Sequence, residues 1–84
     1  MVYALLICRS LTYAQRTAAV LERSGILTSL RRTPAALAPT GCSYAVKLPA
    51  DRLTAALDRL ARAELMPKSA VLLRADGTAE EVPL

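Results

Sequence analysis

The chain contains no histidine, no tryptophan and no phenylalanine, and only three glycines and two cysteines in 84 residues. Each scarcity removes a class of chemistry. Without histidine, serine- or cysteine-hydrolase chemistry lacks its usual base, and a zinc site lacks its commonest nitrogen ligand. The few glycines form no phosphate-cradling loop. Cys8 and Cys42 stand thirty-four positions apart, so there is no closely spaced thiolate pair of the kind a metal chaperone uses. Two cysteines are also few for a disulfide-stapled secreted domain, and both are expected as thiols in a reducing compartment.

Long apolar runs are missing as well. The longest uncharged stretch, Thr33 to Val46, carries two prolines and is too short to span a bilayer. The apolar opening "MVYALLIC" has no basic segment ahead of it and is ended by Arg9, which argues against an export signal. A cytoplasmic protein with no membrane association is expected. Nucleic-acid binding is not: Tyr3 and Tyr44 fall on strands, but no basic-aromatic run surrounds either.

What the chain does have is aliphatic material and positive charge. Hydrophobic residues are 54% of the sequence, so its core must be built from Leu, Ala, Val and Ile with three tyrosines. Eleven basic against seven acidic residues give a net charge of +4, a weak and non-specific preference for acidic partners. The length allows one core, hence a single domain over residues 1–84.

Periodicity gives the elements. "VYALLIC" (2–8) reads as a buried strand. Leu11, Ala14, Ala18 and Leu21 recur at helical spacing over 11–23, with Ser10 or Thr12 as a cap and Gly25 as terminator. "ILTSLR" (26–31) alternates as a second strand, and the segment with Pro34 and Pro39 is a loop or short helical turn. "CSYAVKL" (42–48) alternates again. Pro49 suits a first helical position, and Leu53, Leu57 and Leu60, with Ala56 and Ala61, make an apolar stripe through residue 63. "SAVLLR" is another strand, and "DG" at 76–77 marks a turn to a short return strand, "TAEEV".

This order predicts an α+β protein of the ferredoxin-like βαββαβ type: an antiparallel four-stranded sheet, spatial order 4-1-3-2, with two helices on one face and a terminal hairpin as an extension. That topology sets strand 1 beside strand 3 and so brings Cys8 and Cys42 to the same end of the sheet, near the start of the first helix. Arg9, Arg31, Arg32 and Lys68 fall at that end too and are the candidate anion supports. A helix amino end and nearby cations favour thiolate. Set against this, a cysteine at a strand edge is commonly a small buried hydrophobe, and Cys8, continuing an apolar run, fits that description better than Cys42. Strand 1 is apolar on both faces, with Tyr3, Leu5 and Ile7 on one and Ala4 and Leu6 on the other. Helices cover only one face, so the other suggests a homodimer or a partner that covers it.

The chain resembles the small bacterial DUF3343 proteins, which are selenium/sulfur carrier-like. The likeness runs over nearly the whole chain, in the opening strand, "LERSGI", "LRRTP", "CSYAVKL" and "ADRLTAALDRL". The family's shared cysteine corresponds to Cys42. The family's loop has a serine run followed by Cys-Gly, whereas here "AALAPT" replaces the serines, Gly41 precedes the cysteine and Ser43 follows it. The resemblance implies a carrier that takes sulfane sulfur on Cys42, with Cys8 a weaker neighbour, needing no cofactor and working with a sulfur donor or acceptor protein. A carrier or binding protein is expected in preference to a stand-alone enzyme, the enzyme question being left open. The competing reading is a non-catalytic regulatory or interaction module on the same fold.

Overall fold

The computed structural model of the protein describes residues 2–34 and 44–84. The elements follow in the order β1 (Tyr3–Cys8), α1 (Leu11–Arg23), β2 (Ser29–Arg32), β3 (Tyr44–Pro49), a 3-10 turn (Ala50–Arg52), α2 (Leu53–Arg62), β4 (Ser69–Leu73) and β5 (Ala79–Val82). The molecule is α+β, with a five-stranded antiparallel sheet of order β2-β3-β1-β4-β5. Its first four strands lie in the expected sequence 4-1-3-2 read from the β4 side. The terminal hairpin makes the sheet five-stranded rather than four-stranded.

Register determines which residues share a face. Leu30, Val46, Leu6, Ala70 and Val82 form one row across all five strands, and Arg32, Tyr44 and Cys8 form a second row on the same face. These rows meet both helices: Ala14, Ala18 and Leu21 from α1 and Leu53, Ala56 and Leu60 from α2 pack with Ala4, Leu6, Cys8, Val46, Leu48 and Ala70 in one cluster. The period of 2 in the strands and of about 3.6 in the helices is what lets each element bury a single side here.

The opposite face carries Ser29, Lys47, Leu5, Val71 and Glu81 in one row and Arg31, Ala45, Ile7 and Ser69 in the next. Leu5, Ile7, Ala45 and Val71 form a second small cluster there and are all buried within the single chain. The bare apolar patch expected on this face, from which a homodimer was argued, is therefore not present at these positions.

Local chemistry explains the element ends. Ser10 caps α1, its hydroxyl accepting from the Tyr13 N–H at 3.2 Å. α1 closes with Gly25 at φ +79°, its N–H bonded to the Glu22 carbonyl and that of Ile26 to the Leu21 carbonyl. This paired 5→2 and 6→1 pattern is a Schellman cap, and the buried Ile26 is its apolar contact. Ile26 is thus the end of a helix motif and not, as its alternation with Thr28 and Leu30 suggested, the start of a strand. Leu27 is 83% exposed and β2 begins only at Ser29.

α2 ends in the same way, with Glu64 and Leu65 bonding back to Ala61 and Leu60, but here a glutamate occupies the left-handed position at φ 57°. Pro49 also departs from expectation. It closes β3 opposite Tyr3 at φ -61°, ψ 138°, and the helical turn starts one residue later. A proline φ suits an extended strand end as well as a first helical position. In the β4–β5 turn Gly77 takes φ +88°, and the Asp76 carboxylate accepts from the backbone N–H of Thr78 at 2.9 Å and its hydroxyl at 2.7 Å. These bonds hold the exposed Asp76 carboxyl below its ordinary pKa.

Candidate functional site

Four chain segments meet at one end of the sheet: β1 ends there at Cys8, β2 at Arg32, β3 begins at Tyr44 and β4 at Ser69. Cys8 lies opposite Tyr44, and Tyr44 opposite Arg32. On the other side of β1 the Lys68 N–H donates to the Ile7 carbonyl at 2.9 Å. Arg9 follows Cys8 directly, in the link to α1. Three of the four proposed anion supports, Arg9, Arg32 and Lys68, are thus brought to this end by backbone topology. Arg31 reaches it in sequence, but strand alternation turns its position to the helix-free face beside Ala45.

The cations are held differently. The Arg9 guanidinium stacks 5.2 Å from the Tyr13 ring centroid and that of Arg32 lies 5.9 Å from Tyr44. Arg lies readily over aromatic faces, and such contacts orient a guanidinium while leaving its N–H groups available. Lys68 lines a shallow cleft with Ser69 and Glu81, beside β5. The four cations therefore surround the sheet end and do not form one tight cluster.

Cys8 sits inside this ring of charge but is shielded from it. It has no solvent exposure, and its Sγ lies 3.7 Å from the Leu6 carbonyl and 3.9 Å from Thr17 Oγ1. Thr17, fully buried, donates its own hydroxyl to the Tyr13 carbonyl at 2.9 Å. Burial pushes the Cys8 thiol above its ordinary pKa, and the Thr17 hydrogen bond only partly opposes this. A protonated, water-inaccessible thiol is a poor nucleophile. Cys42 lies outside the described residues, two positions ahead of Tyr44 in the chain.

Two features at or near this end carried little sequence signal. Thr17 lies buried on the apolar side of α1, outside the expected stripe, while Leu11, within that stripe, is 41% exposed. Thr33, just past β2, is 6% exposed with a hydroxyl that has no partner among the described residues. Nor do three metal-ligating acidic, cysteine or histidine side chains come together among the described residues. No helix among them is long and apolar enough to cross a membrane.

The arrangement is that of a small α+β protein with cations around one sheet end and a cysteine-bearing connection leaving and re-entering there. A family model described as "Putative Se/S carrier protein-like" matches residues 3–71. The chain belongs to that family. No curated protein and no solved structure matches it.

Proposed function

We propose that the protein carries sulfur or selenium between partner proteins, with Cys42 as the working thiol. The observation that carries this reading is the family match over residues 3–71, a span that includes Cys42. The burial of Cys8 supports the assignment by leaving Cys42 as the thiol that can serve another protein.

The transfer needs no external oxidant or reductant. The Cys42 thiolate attacks the outer sulfur of a donor persulfide, R–S–SH. A new bond forms between Cys42 Sγ and that sulfur as the donor S–S bond breaks, and the donor sulfur leaves as thiolate, R–S⁻. Cys42 then bears –S–SH, and the same exchange in reverse delivers the sulfur to an acceptor thiolate. Arg9, Arg32 and Lys68 stabilise the anionic sulfur at both stages, and Arg31 adds to the field from the other face. The chain requires no cofactor of its own. It works in a reducing, cytoplasmic setting as a single domain over residues 1–84. The βαββαβ order, with both helices on one face, is read as a ferredoxin-like fold extended by β5.

The test is to incubate the protein with a cysteine desulfurase and free cysteine and to follow the intact mass. Wild type and Cys8→Ala should gain one sulfur atom, removable by dithiothreitol, whereas Cys42→Ser should gain none while keeping its circular dichroism spectrum. Loading that persists in Cys42→Ser would reject the assignment. Absence of loading in wild type, with tight binding to a partner protein that Cys42→Ser retains, would favour the interaction-module reading.

A further inference from the structure

The helix-free face holds a cleft of about 370 Å³ between β2, β3, β1 and β4. Leu5, Ala45 and Leu73 line it with apolar atoms, and Arg31 and Lys47 supply its charge; Arg32 borders it from β2, but its guanidinium lies over Tyr44 on the helix side. Leu5 and Ala45 belong to the small buried cluster on this face, so the floor is rigid sheet. Lys47 stands opposite Leu5 in the β1–β3 register, and its Nζ lies 4.0 Å from the Tyr3 ring centroid, which holds the ammonium at the rim. The ion pairs among the described residues join Arg62 to Asp58 and Arg74 to Glu80, so none neutralises the cleft's cations. No carboxylate among the described residues lines the cleft. The nearest acidic position on this face, Glu81, is on β5, with β1 and β4 between it and Lys47.

Two like charges side by side without a counter-charge repel each other, and an anion placed between them relieves this. An apolar floor under a charged rim, in a volume within the small-ligand range of roughly 300–1,000 Å³, selects a molecule with one charged end and a short apolar body. We propose that this cleft binds a small amphiphilic oxyanion, a carboxylate or phosphate group on an apolar body of a few carbons. Arg31 and Lys47 take the head group, while Leu73, with Leu5 beneath it, takes the body. Lys47 thereby joins the functional residues. The site does not depend on Cys42 and stands whether or not that thiol carries sulfur.

Titration of the ¹⁵N-labelled full chain with hexanoate, butyl phosphate, hexanol and acetate, followed by heteronuclear NMR, tests it. Hexanoate or butyl phosphate should give saturable shifts centred on the amides of Leu5, Arg31, Ala45 and Lys47, the tighter of the two identifying the head group. Hexanol, lacking charge, and acetate, lacking a body, should each bind at least about fivefold more weakly, and Arg31→Gln and Lys47→Gln should each weaken the preferred anion about fivefold. Both side chains are at the surface, and the dispersion of the free spectra will report whether the variants are folded. The Cys42→Ser variant should bind as wild type does, so failure of sulfur loading and failure of this site are separable. Equal binding of hexanol and hexanoate, shifts centred elsewhere, or charge variants that bind unchanged would overturn the proposal.

Discussion

Replacing Cys8 tests whether its thiol is part of the core or part of a reactive site. The side chain is fully buried between the sheet and α1, so Cys8→Ala deletes one buried heavy atom. A deletion of that size costs about 1 kcal/mol, within the range of roughly 0.5–1.5 kcal/mol for losing one methylene. Cys8→Ser is the more informative change. The nearest acceptors are 3.7 and 3.9 Å from Sγ, and the shorter C–O bond draws the serine oxygen farther from both. Those separations exceed the roughly 2.5–3.0 Å of an O–H···O bond. The buried hydroxyl then goes unpaired, adding about 1–3 kcal/mol to the cavity cost. Urea unfolding in the presence of reductant should rank the proteins wild type, then Cys8→Ala, then Cys8→Ser, with an unchanged m-value. In a domain of this size each kcal/mol lowers Tm by about 4–8 °C. A Cys8→Ser protein as stable as Cys8→Ala, or more so, would mean that the site is wet or hydrogen-bonds the hydroxyl, and the core reading of Cys8 would be wrong.

Further consequences follow from the same structure. Glu64 pays the left-handed penalty of about 1–2 kcal/mol for a non-glycine residue, so Glu64→Gly should stabilise the protein by about 0.5–1 kcal/mol after the extra backbone entropy of glycine is subtracted. Gly25→Ala, where a Cβ meets nothing within 4 Å but φ is +79°, should destabilise by about 1 kcal/mol, and calorimetric melting will measure both. The raised pKa of Cys8 gives a pH dependence of definite sign. Below the pKa of an unfolded thiol both states hold the proton and Cys8 contributes no slope. Above it the unfolded chain ionises first, so stability falls as pH rises until the folded thiol also titrates. Urea midpoints measured from pH 7 to 10 should therefore fall more steeply for wild type than for Cys8→Ala, and parallel curves would contradict the burial argument.

The parts of the fold that follow from local pattern were legible in the sequence. The 11–23 helix matched the observed α1, and of its two expected caps, Ser10 and Thr12, Ser10 is the one used, because capping and the apolar stripe at helical spacing agreed there. β1 and the β4–β5 turn were legible for the same reason, with an apolar run in one and Asp-Gly in the other. Ile26 misled because an apolar residue after a Schellman glycine has the same appearance as the first residue of an alternating strand. Pro49 misled because one φ value serves two conformations. At the sheet end, Cys8, Arg9, Arg32 and Lys68 were placed by topology, yet the burial of Cys8 beneath α1 depends on three-dimensional packing against Thr17. Lys47 had no signal at all: its significance arises only when strand register sets it beside Arg31 above Leu5 and Ala45. Cys42 remains an inference from the family and from its position in the chain.

The central claim is that Cys42 is the reactive thiol and Cys8 a core residue. Iodoacetamide alkylation of the native protein from pH 5 to 10, with peptide mapping to score each cysteine separately, tests it most directly. Cys42 should alkylate in the native state, with an apparent pKa below the roughly 8.5 of a free cysteine. Cys8 should react only once the protein is unfolded in urea. A Cys42 that alkylates only on unfolding, or titrates above a free thiol, would contradict the carrier assignment, and native alkylation of Cys8 would contradict its place in the core.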